Sequence, residues 1–166
     1  MDKAQLIHQL EKAWDEFKGS FGGLPDSDLM KPATIGDWSI KEIISHVTTW
    51  ENEALKYLPL ILAGEKPPRY SIAHGGIHAF NAQMAEKKRS LPLSEVMAQM
   101  DDTHRRLAAF IRKAPEEQFV RETRFRHRLR LDTYTHYRQH AEAIRMWRES
   151  QSDRSSQDPP WKSTAG

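Results

Sequence analysis

Two histidines near the C-terminus, His136 and His140, have the type and spacing most typical of metal chemistry in this chain. They lie in a segment, residues 132–149, that we predict to be a helix with Asp132 as its N-cap. Residues four apart lie on the same face of a helix, so both imidazoles point in one direction. Two imidazoles on an inward face can hold one metal ion, but a third ligand must come from elsewhere. By itself the pair is a loose motif.

A third histidine, His46, lies in a second predicted helix. Ser39 followed by Glu42 is a capping-box pattern, which predicts that a helix begins there and ends near Leu62. His46 lies beside the apolar stripe of this helix, and a single histidine in that position is more often a packed core residue than a ligand. The residues alone leave both interpretations open. The stripe consists of Ile40, Ile43, Val47, Trp50, Ala54 and Leu58.

The helices that must position these histidines follow from apolar residues spaced three and four apart. Long helices are predicted over residues 3–18, 39–62, 93–113 and 132–149. A shorter helix with a frayed start is predicted over residues 72–88, because Gly75 and Gly76 weaken its first turns. We therefore predict an all-α fold, a four-helix bundle with one short extra helix in a connection.

The segment 120–131 has a different pattern, in which arginines alternate with apolar residues and histidine. This is the period of an extended strand, and one strand cannot form a sheet, so we predict an extended connector lying on the bundle. The arginines of the stretch Arg121–Arg130 could attract an anionic substrate. They could equally form a solvated face balanced by acidic helices, and both interpretations remain open.

Length and composition set limits on the class of protein. A chain of 166 residues is long enough for one domain with a real core. We predict a bundle domain over residues 1–149 and a polar tail over 150–166, with Trp161 as its one aromatic residue. The chain has no cysteine, which excludes disulfides, thiolate zinc sites and a cysteine nucleophile. Any thiol used in a reaction must then be a separate small molecule.

The N-terminus and the net charge limit location and partners. The polar start of the chain indicates no signal peptide, and the longest apolar run, residues 57–63, is too short to span a bilayer. We therefore expect a cytoplasmic protein with no membrane partner. The net charge is only +2 and no interleaved base-stacking aromatic residues accompany the arginine stretch, so we also expect no nucleic-acid partner.

Several other polar residues compete for a functional role. His74 and His78 are also four apart, but two glycines lie between them, so surface or loop positions are the simpler interpretation. We expect His104 to pack or to support the site from behind. Glu51 and Glu53 could act as a base or as acceptors for a ligand imidazole, but a solvated helix face is the simpler interpretation for each.

Three segments taken together are similar to the DinB/YfiT-like superfamily. They are residues 38–51 (WSIKEIISHVTTWE), Phe80–Asn81, and residues 136–145 (HYRQHAEAIR). The resemblance extends over about residues 3–148. Each motif alone is loose, but their order and separation make the combination fairly specific.

This resemblance implies a four-helix bundle that holds a divalent metal through three histidines. One comes from the helix that starts with a Trp-Ser cap and two come from the His-x-x-x-His of the last helix, which by position are His46, His136 and His140. A set of three imidazoles suits Zn, Ni or Fe. The superfamily includes thiol-dependent transferases and isomerases and colibactin-type resistance hydrolases, so it implies a site better than a substrate.

Two functions from different classes follow. The first is a metal-dependent hydrolase or thiol-dependent transferase acting on a small molecule, with a metal-activated water or an external low-molecular-weight thiol as nucleophile. The second is a non-catalytic, dimeric helical-bundle binding protein in which the histidines are structural. Trp14, Trp50 and Trp147 lie on stripes that one core does not obviously hide, so we expect a homodimer. Metal content of the purified protein separates the two functions.

Overall fold

Helices make up most of the computed structural model, which describes residues 1–157. In chain order they are α1 (Lys3–Phe21), α2 (Asp26–Leu29), α3 (Ile40–Leu62), α4 (Tyr70–Ala73), α5 (Ile77–Lys88), α6 (Leu93–Lys113), a 3-10 turn (Glu116–Gln118), α7 (Arg124–Asp132) and α8 (Tyr134–Gln157). The four long helices α1, α3, α6 and α8 form a bundle, and the described residues contain no β-strand. The predicted all-α fold is confirmed.

Helix α3 begins where the capping box predicts. The Ser39 hydroxyl accepts a hydrogen bond from the backbone N–H of Glu42 at 3.1 Å, and the backbone N–H of Ser39 donates to the Glu42 carboxylate at 2.8 Å. All six residues of the predicted apolar stripe are buried. The cap sets where the helix begins and the stripe sets which face turns inward. His46 is thereby brought, half-buried, to the edge of the core.

The bundle is held together by two long helix pairs. Helix α1 packs along α8, α3 packs along α6, and α7 contacts both α3 and α8. The largest fully buried side chains are Tyr137, Phe17, Phe119, Phe125, Leu6, Ile40, Ile43, Ile44, Leu58, Leu107, Ile111 and Leu129. Because α3 also contacts α8 directly, residues on these two helices can meet in one site.

The prediction of an extended connector over residues 120–131 is wrong. Residues Arg124–Asp132 form helix α7, which begins with a side-chain cap. The hydroxyl of Thr123 accepts a hydrogen bond from the backbone N–H of Arg126 at 3.1 Å, which satisfies one of the otherwise unpaired donors of the first turn.

Burial explains why α7 is a helix despite its alternating sequence. Phe125, Leu129 and Asp132 are buried and are spaced four and three apart, as one helix face requires. Leu131, which the strand pattern would place on the same side as Phe125, is 51 % exposed. The bundle therefore selects one helical face of this segment and leaves Arg124 and Leu131 exposed.

The short helix predicted over residues 72–88 is divided in two. Helix α4 ends at Ala73 and α5 begins at Ile77. Between them Gly75 and Gly76 have φ angles of +80° and +112°, which other residues rarely adopt. The glycines thus interrupt the helix rather than fray its first turn.

Both ends of the last helix differ from the prediction. Asp132 is not its N-cap, because Asp132 is the last residue of α7 and α8 begins only at Tyr134. At the other end α8 continues to Gln157, so residues 150–157, predicted as polar tail, are helical. Trp161 lies outside the described residues.

Less apolar surface is exposed than we predicted from Trp14, Trp50 and Trp147. Trp14 and Trp50 are buried within the single chain, at 5 % and 9 % exposure, and only Trp147 is partly exposed. The argument for a homodimer from Trp14 and Trp50 is therefore wrong, and the homodimer stays a prediction. None of the helices within residues 1–157 is long and apolar enough to cross a membrane.

Candidate metal centre

Helices α3 and α8 bring three imidazoles together. His46 comes from α3, and His136 and His140 come from one face of α8. The Nε2 atom of His136 lies 3.0 Å from Nε2 of His46 and 2.9 Å from Nε2 of His140. All three donor atoms lie within 4.8 Å of one another. The sequence placed these residues on two separate helices, and the structure joins them at one point.

The imidazoles of this cluster are held neutral. Burial, together with the nearby His140 and Lys88, lowers the pKa of His46 to about 3. Burial lowers the pKa of His136 to about 2, with additional contributions from His140 and His46. Burial alone lowers the pKa of His140 to about 4. At neutral pH each ring therefore keeps a lone pair, which is the form that binds metal.

A divalent ion fits this set of donors. Tetrahedral bonds of 2.0–2.1 Å to zinc would separate two ligand nitrogens by about 3.3 Å, close to the 2.9–3.0 Å seen here. A neutral imidazole carries one proton, so three converging nitrogens cannot all be satisfied by hydrogen bonds among themselves. A single cation would satisfy all three lone pairs. The donors present suit Zn, Ni or Fe.

Acid should destabilise the metal-free protein through these histidines. Unfolded imidazoles titrate near 6.5, whereas the folded ones titrate at about 2 to 4, so below pH 6.5 only the unfolded state takes up these protons. The unfolding free energy should fall by about 1.4 kcal/mol per pH unit for each such histidine. Denaturant unfolding of chelator-treated protein from pH 7 to pH 5 measures this loss.

The control for this prediction must remove the effect of other groups. Burial raises the pKa of Asp132 to about 6, so as the pH falls this carboxyl is protonated in the folded state before it is protonated in the unfolded state. Its protonation therefore stabilises the folded state and opposes the destabilisation that the histidines cause. A variant with all three clustered histidines changed to glutamine keeps Asp132 and should have a clearly flatter pH profile. An equally steep profile in that variant would contradict the assignment.

The second nitrogen of one candidate ligand has no partner. Nδ1 of His136 is buried without a hydrogen bond to any of the described residues. Asp132 lies four residues before His136 in the chain. Its carboxylate instead accepts a hydrogen bond from Arg128 at 2.5 Å. The ring of His136 is therefore positioned by packing and by the other two imidazoles.

A cavity of about 580 Å³ opens onto the three histidines. Its walls include the aromatic rings of Trp38, Trp50 and Tyr70 and the aliphatic side chains of Ile77 and Leu131. This volume and this largely apolar lining are typical of sites for small organic molecules. The histidines thus line a space that can admit a ligand.

The Phe80–Asn81 motif shapes one wall of the cavity. The indole N–H of Trp50 donates to the side-chain oxygen of Asn81 at 3.0 Å, and the Phe80 ring packs edge-on against Trp50 at 5.5 Å between centroids. Both contacts fix the orientation of the indole. The motif therefore orients an aromatic wall and supplies no candidate ligand.

Arg128 also lines the cavity, close to Trp50, and is held by its own polar and aromatic partners. Its guanidinium donates to Asp132 at 2.5 Å and to the hydroxyl of Tyr70 at 2.8 Å. It also lies 5.3 Å from the ring centroid of Tyr57 and 6.0 Å from that of Trp50. These contacts fix the group in one place and neutralise its charge with Asp132. In the sequence Arg128 is only one of several arginines of the stretch Arg121–Arg130.

A buried polar network lies behind the histidines. Glu51 is fully buried, so the expectation of a solvated face was wrong for it. Its Oε1 accepts a hydrogen bond from the Tyr137 hydroxyl and lies 2.7 Å from Nδ1 of His104, and its Oε2 has no partner among the described residues. Burial raises the pKa of Glu51, although its two partners oppose the shift. The network ties α3 to α8 and α6.

His104 packs against α1 and α3, which is one of the two roles predicted for it. Its ring stacks on Trp14 with centroids 3.8 Å apart, and it bonds to Glu51 as described. A sequence signal for Glu51 existed, because Val47, Glu51, Ala54 and Leu58 are spaced four, three and four apart. Glu51 therefore belongs to the inward face of α3 by periodicity.

The other histidine pair considered as a metal site, and the second glutamate of α3, lie outside the cluster of three histidines. His74 caps the end of α4 against Phe80, with ring centroids 4.9 Å apart, and His78 is exposed on α5. Neither belongs to the group of three donors found within residues 1–157. Glu53 is partly buried and accepts a hydrogen bond from Tyr70 at 2.7 Å, so it supports the cavity wall.

Comparison with known proteins gives a match to one family. The sequence pattern of the DinB superfamily matches residues 9–148. No curated protein sequence matches the chain.

Solved structures with the same fold have low sequence identity. The "Sibling Lethal Factor Precursor - DfsB" has a TM-score of 0.75 and 19 % identity, with 91 % of this chain and 97 % of that chain covered. An uncharacterised protein from Escherichia coli UTI89 has a TM-score of 0.74 and 11 % identity, with 91 % and 95 % covered. The colibactin self-resistance protein ClbS, in complex with a dsDNA, has a TM-score of 0.73 and 12 % identity, with 89 % and 95 % covered. At these identities the likeness shows the fold alone.

Proposed function

The chain belongs to the DinB superfamily, and from that premise we propose that it is a metal-dependent enzyme acting on a small organic molecule. The observation that carries the proposal is the convergence of His46, His136 and His140 in the lining of a cavity of about 580 Å³. Three neutral imidazoles with an open approach are typical of a catalytic metal site rather than a closed structural one.

The reaction proposed is hydrolysis or the transfer of a group to an external low-molecular-weight thiol. When bound, a divalent ion would supply Lewis acidity, lowering the pKa of a water or thiol at its open position. The residues of the chain hold and surround this position. Trp38, Trp50 and Tyr70 exclude water from the body of the ligand, and Arg128 offers a fixed polar wall.

Two observations favour catalysis over a purely structural role for the histidines. The three rings are only partly buried and lie beside the apolar core, so they are not needed to fill it. The rings also border an open cavity rather than solid protein. A small molecule is the proposed partner, because this cavity is concave and enclosed on several sides by aromatic rings.

Metal titration tests the metal half of the proposal. Protein stripped with a chelator should take up one zinc, nickel or ferrous ion per chain and melt at a higher temperature, because the ion binds the folded arrangement and finds no such triad in the unfolded chain. At a free ion concentration 100 times the dissociation constant the gain should be about 2.7 kcal/mol. Protein that takes up no ion under any of these conditions would contradict the proposal.

The cobalt-loaded protein then separates the two reactions. A small thiol that reaches the ion should produce a sulfur-to-cobalt charge-transfer absorption, as the transferase requires. Absence of this absorption, with turnover of ester or amide substrates in the same preparation, would indicate the hydrolase. Loaded protein that binds no thiol and turns over no substrate in either class would support the non-catalytic binding protein instead.

A further inference from the structure

A second cavity, of about 510 Å³, lies on the other side of the wall that Tyr70 and Arg128 form. Both of these residues line both cavities, so they separate them. The second cavity lies between the first turns of α7 and the segment Pro67–Tyr70, which leads into α4. It contains none of the three clustered histidines.

Two arginines at this second cavity carry uncompensated charge. Arg124 donates only to the backbone carbonyl of Glu65, at 3.3 Å, and Arg69 has no hydrogen-bond or carboxylate partner among residues 1–157. Both line the cavity. The neighbouring arginines of α7 are different, because each has an acidic partner. The pairs are Arg126 and Arg130 with Glu122, at 3.8 Å and 3.0 Å, and Arg128 with Asp132, at 2.5 Å.

The remaining lining residues make the cavity suited to an amphipathic anion. Glu122 lines it too, but its carboxylate is held by Arg130. The N-terminal end of α7, at Thr123, also faces the cavity and adds the positive end of a helix dipole. Ile61, Pro67 and Pro68 supply an apolar wall.

We propose that this second cavity binds a small phosphate monoester. The dianionic phosphate lies between Arg69 and Arg124, whose guanidinium groups match phosphate oxygens in pairs. The organic part of the ester packs against the wall of Ile61 and the two prolines. A concave site of this volume is typical of small ligands, whereas a nucleic-acid backbone needs an extended basic surface. The site does not depend on a bound metal.

Phenyl phosphate is the probe that tests this site. The full chain is first treated with a chelator, and the binding of phenyl phosphate is then measured by titration calorimetry. It should bind more tightly than inorganic phosphate, because only the ester uses the apolar wall, and phenol should not compete. The Arg69→Gln/Arg124→Gln variant should lose roughly tenfold or more in affinity, since charge-assisted hydrogen bonds are lost. Arg121 is an exposed arginine of the same stretch that does not line the cavity. The Arg121→Gln variant should therefore change the affinity for phenyl phosphate by less than about twofold.

Three outcomes would overturn the proposal. Unchanged affinity in the double variant would mean that the arginines do not hold the anion. If the His140→Ala variant lost its affinity for phenyl phosphate, the anion would bind in the first cavity. The proposal of a metal-dependent enzyme would be unaffected by that result. Displacement of phenyl phosphate by a short duplex DNA at lower concentration than by other monoesters would indicate a nucleic-acid surface. All variants change exposed or half-exposed residues, and equal melting temperatures would establish that each is folded.

Discussion

Replacing His140 by alanine should abolish stoichiometric metal binding and the rise in melting temperature that metal gives the parent. Nε2 of His140 lies 2.9 Å from that of His136, so the substitution removes one of three converging donors. The two remaining imidazoles belong to different helices and offer one bond each. The gain of about 2.7 kcal/mol expected for the parent at 100 times its dissociation constant should fall to near zero. Thermal melts with and without zinc or nickel measure the difference.

The matched control is His8→Ala. His8 is exposed on α1 and does not belong to the cluster, so this variant should gain as much stability from metal as the parent. Comparing the metal-dependent gain, rather than the absolute melting temperature, removes any effect of the side chain on packing. A full metal-dependent gain in His140→Ala would mean that another site binds the ion, and His74 with His78 would be tested next.

Replacing Phe125 by alanine should cost about 3–5 kcal/mol of unfolding free energy. The ring is fully buried and packs edge-on against Phe119 at 5.6 Å and near Phe110 at 6.3 Å between centroids. It is one of the two apolar side chains that α7 buries in the core. Chemical denaturation of the two proteins at one pH gives the difference directly.

Leu131→Ala is the control that distinguishes a helix from a strand over this segment. Leu131 is 51 % exposed, so its loss should change stability by less than about 0.5 kcal/mol. In an extended connector Phe125 and Leu131 would lie on the same side and both substitutions would be costly. Similar losses for the two variants would therefore contradict the helical face described for α7.

The helices that carry the candidate ligands could be predicted because local rules govern them. The Ser39–Glu42 cap and the stripe from Ile40 to Leu58 determine both the start of α3 and its buried face. The spacing of His136 and His140 determines that they share a face of α8. That His46 meets them is a tertiary fact, and before the structure only the resemblance to a metal-binding family suggested it.

The elements that could not be predicted depend on contacts made far along the chain. The alternating sequence of α7 satisfies a strand and a helix equally, and the choice is made by the pocket that receives Phe125 and Leu129. The wall that Tyr70 and Arg128 form joins two residues 58 positions apart. No local pattern marks either residue, because each is positioned by the partner it meets after folding.

The bond between Glu51 and Tyr137 has a consequence for which ions the cluster accepts. Glu51 lies on the helix that carries His46, and Tyr137 lies between the two histidines of α8. Moving the helices apart would break this buried hydrogen bond, which would leave the Tyr137 hydroxyl without a partner among the described residues and Glu51 with His104 alone. The separation of the donors is therefore nearly fixed. We expect selection by ionic radius, with ions that bond at about 2.0–2.1 Å accepted and calcium, which needs about 2.3–2.6 Å and more oxygen ligands, excluded.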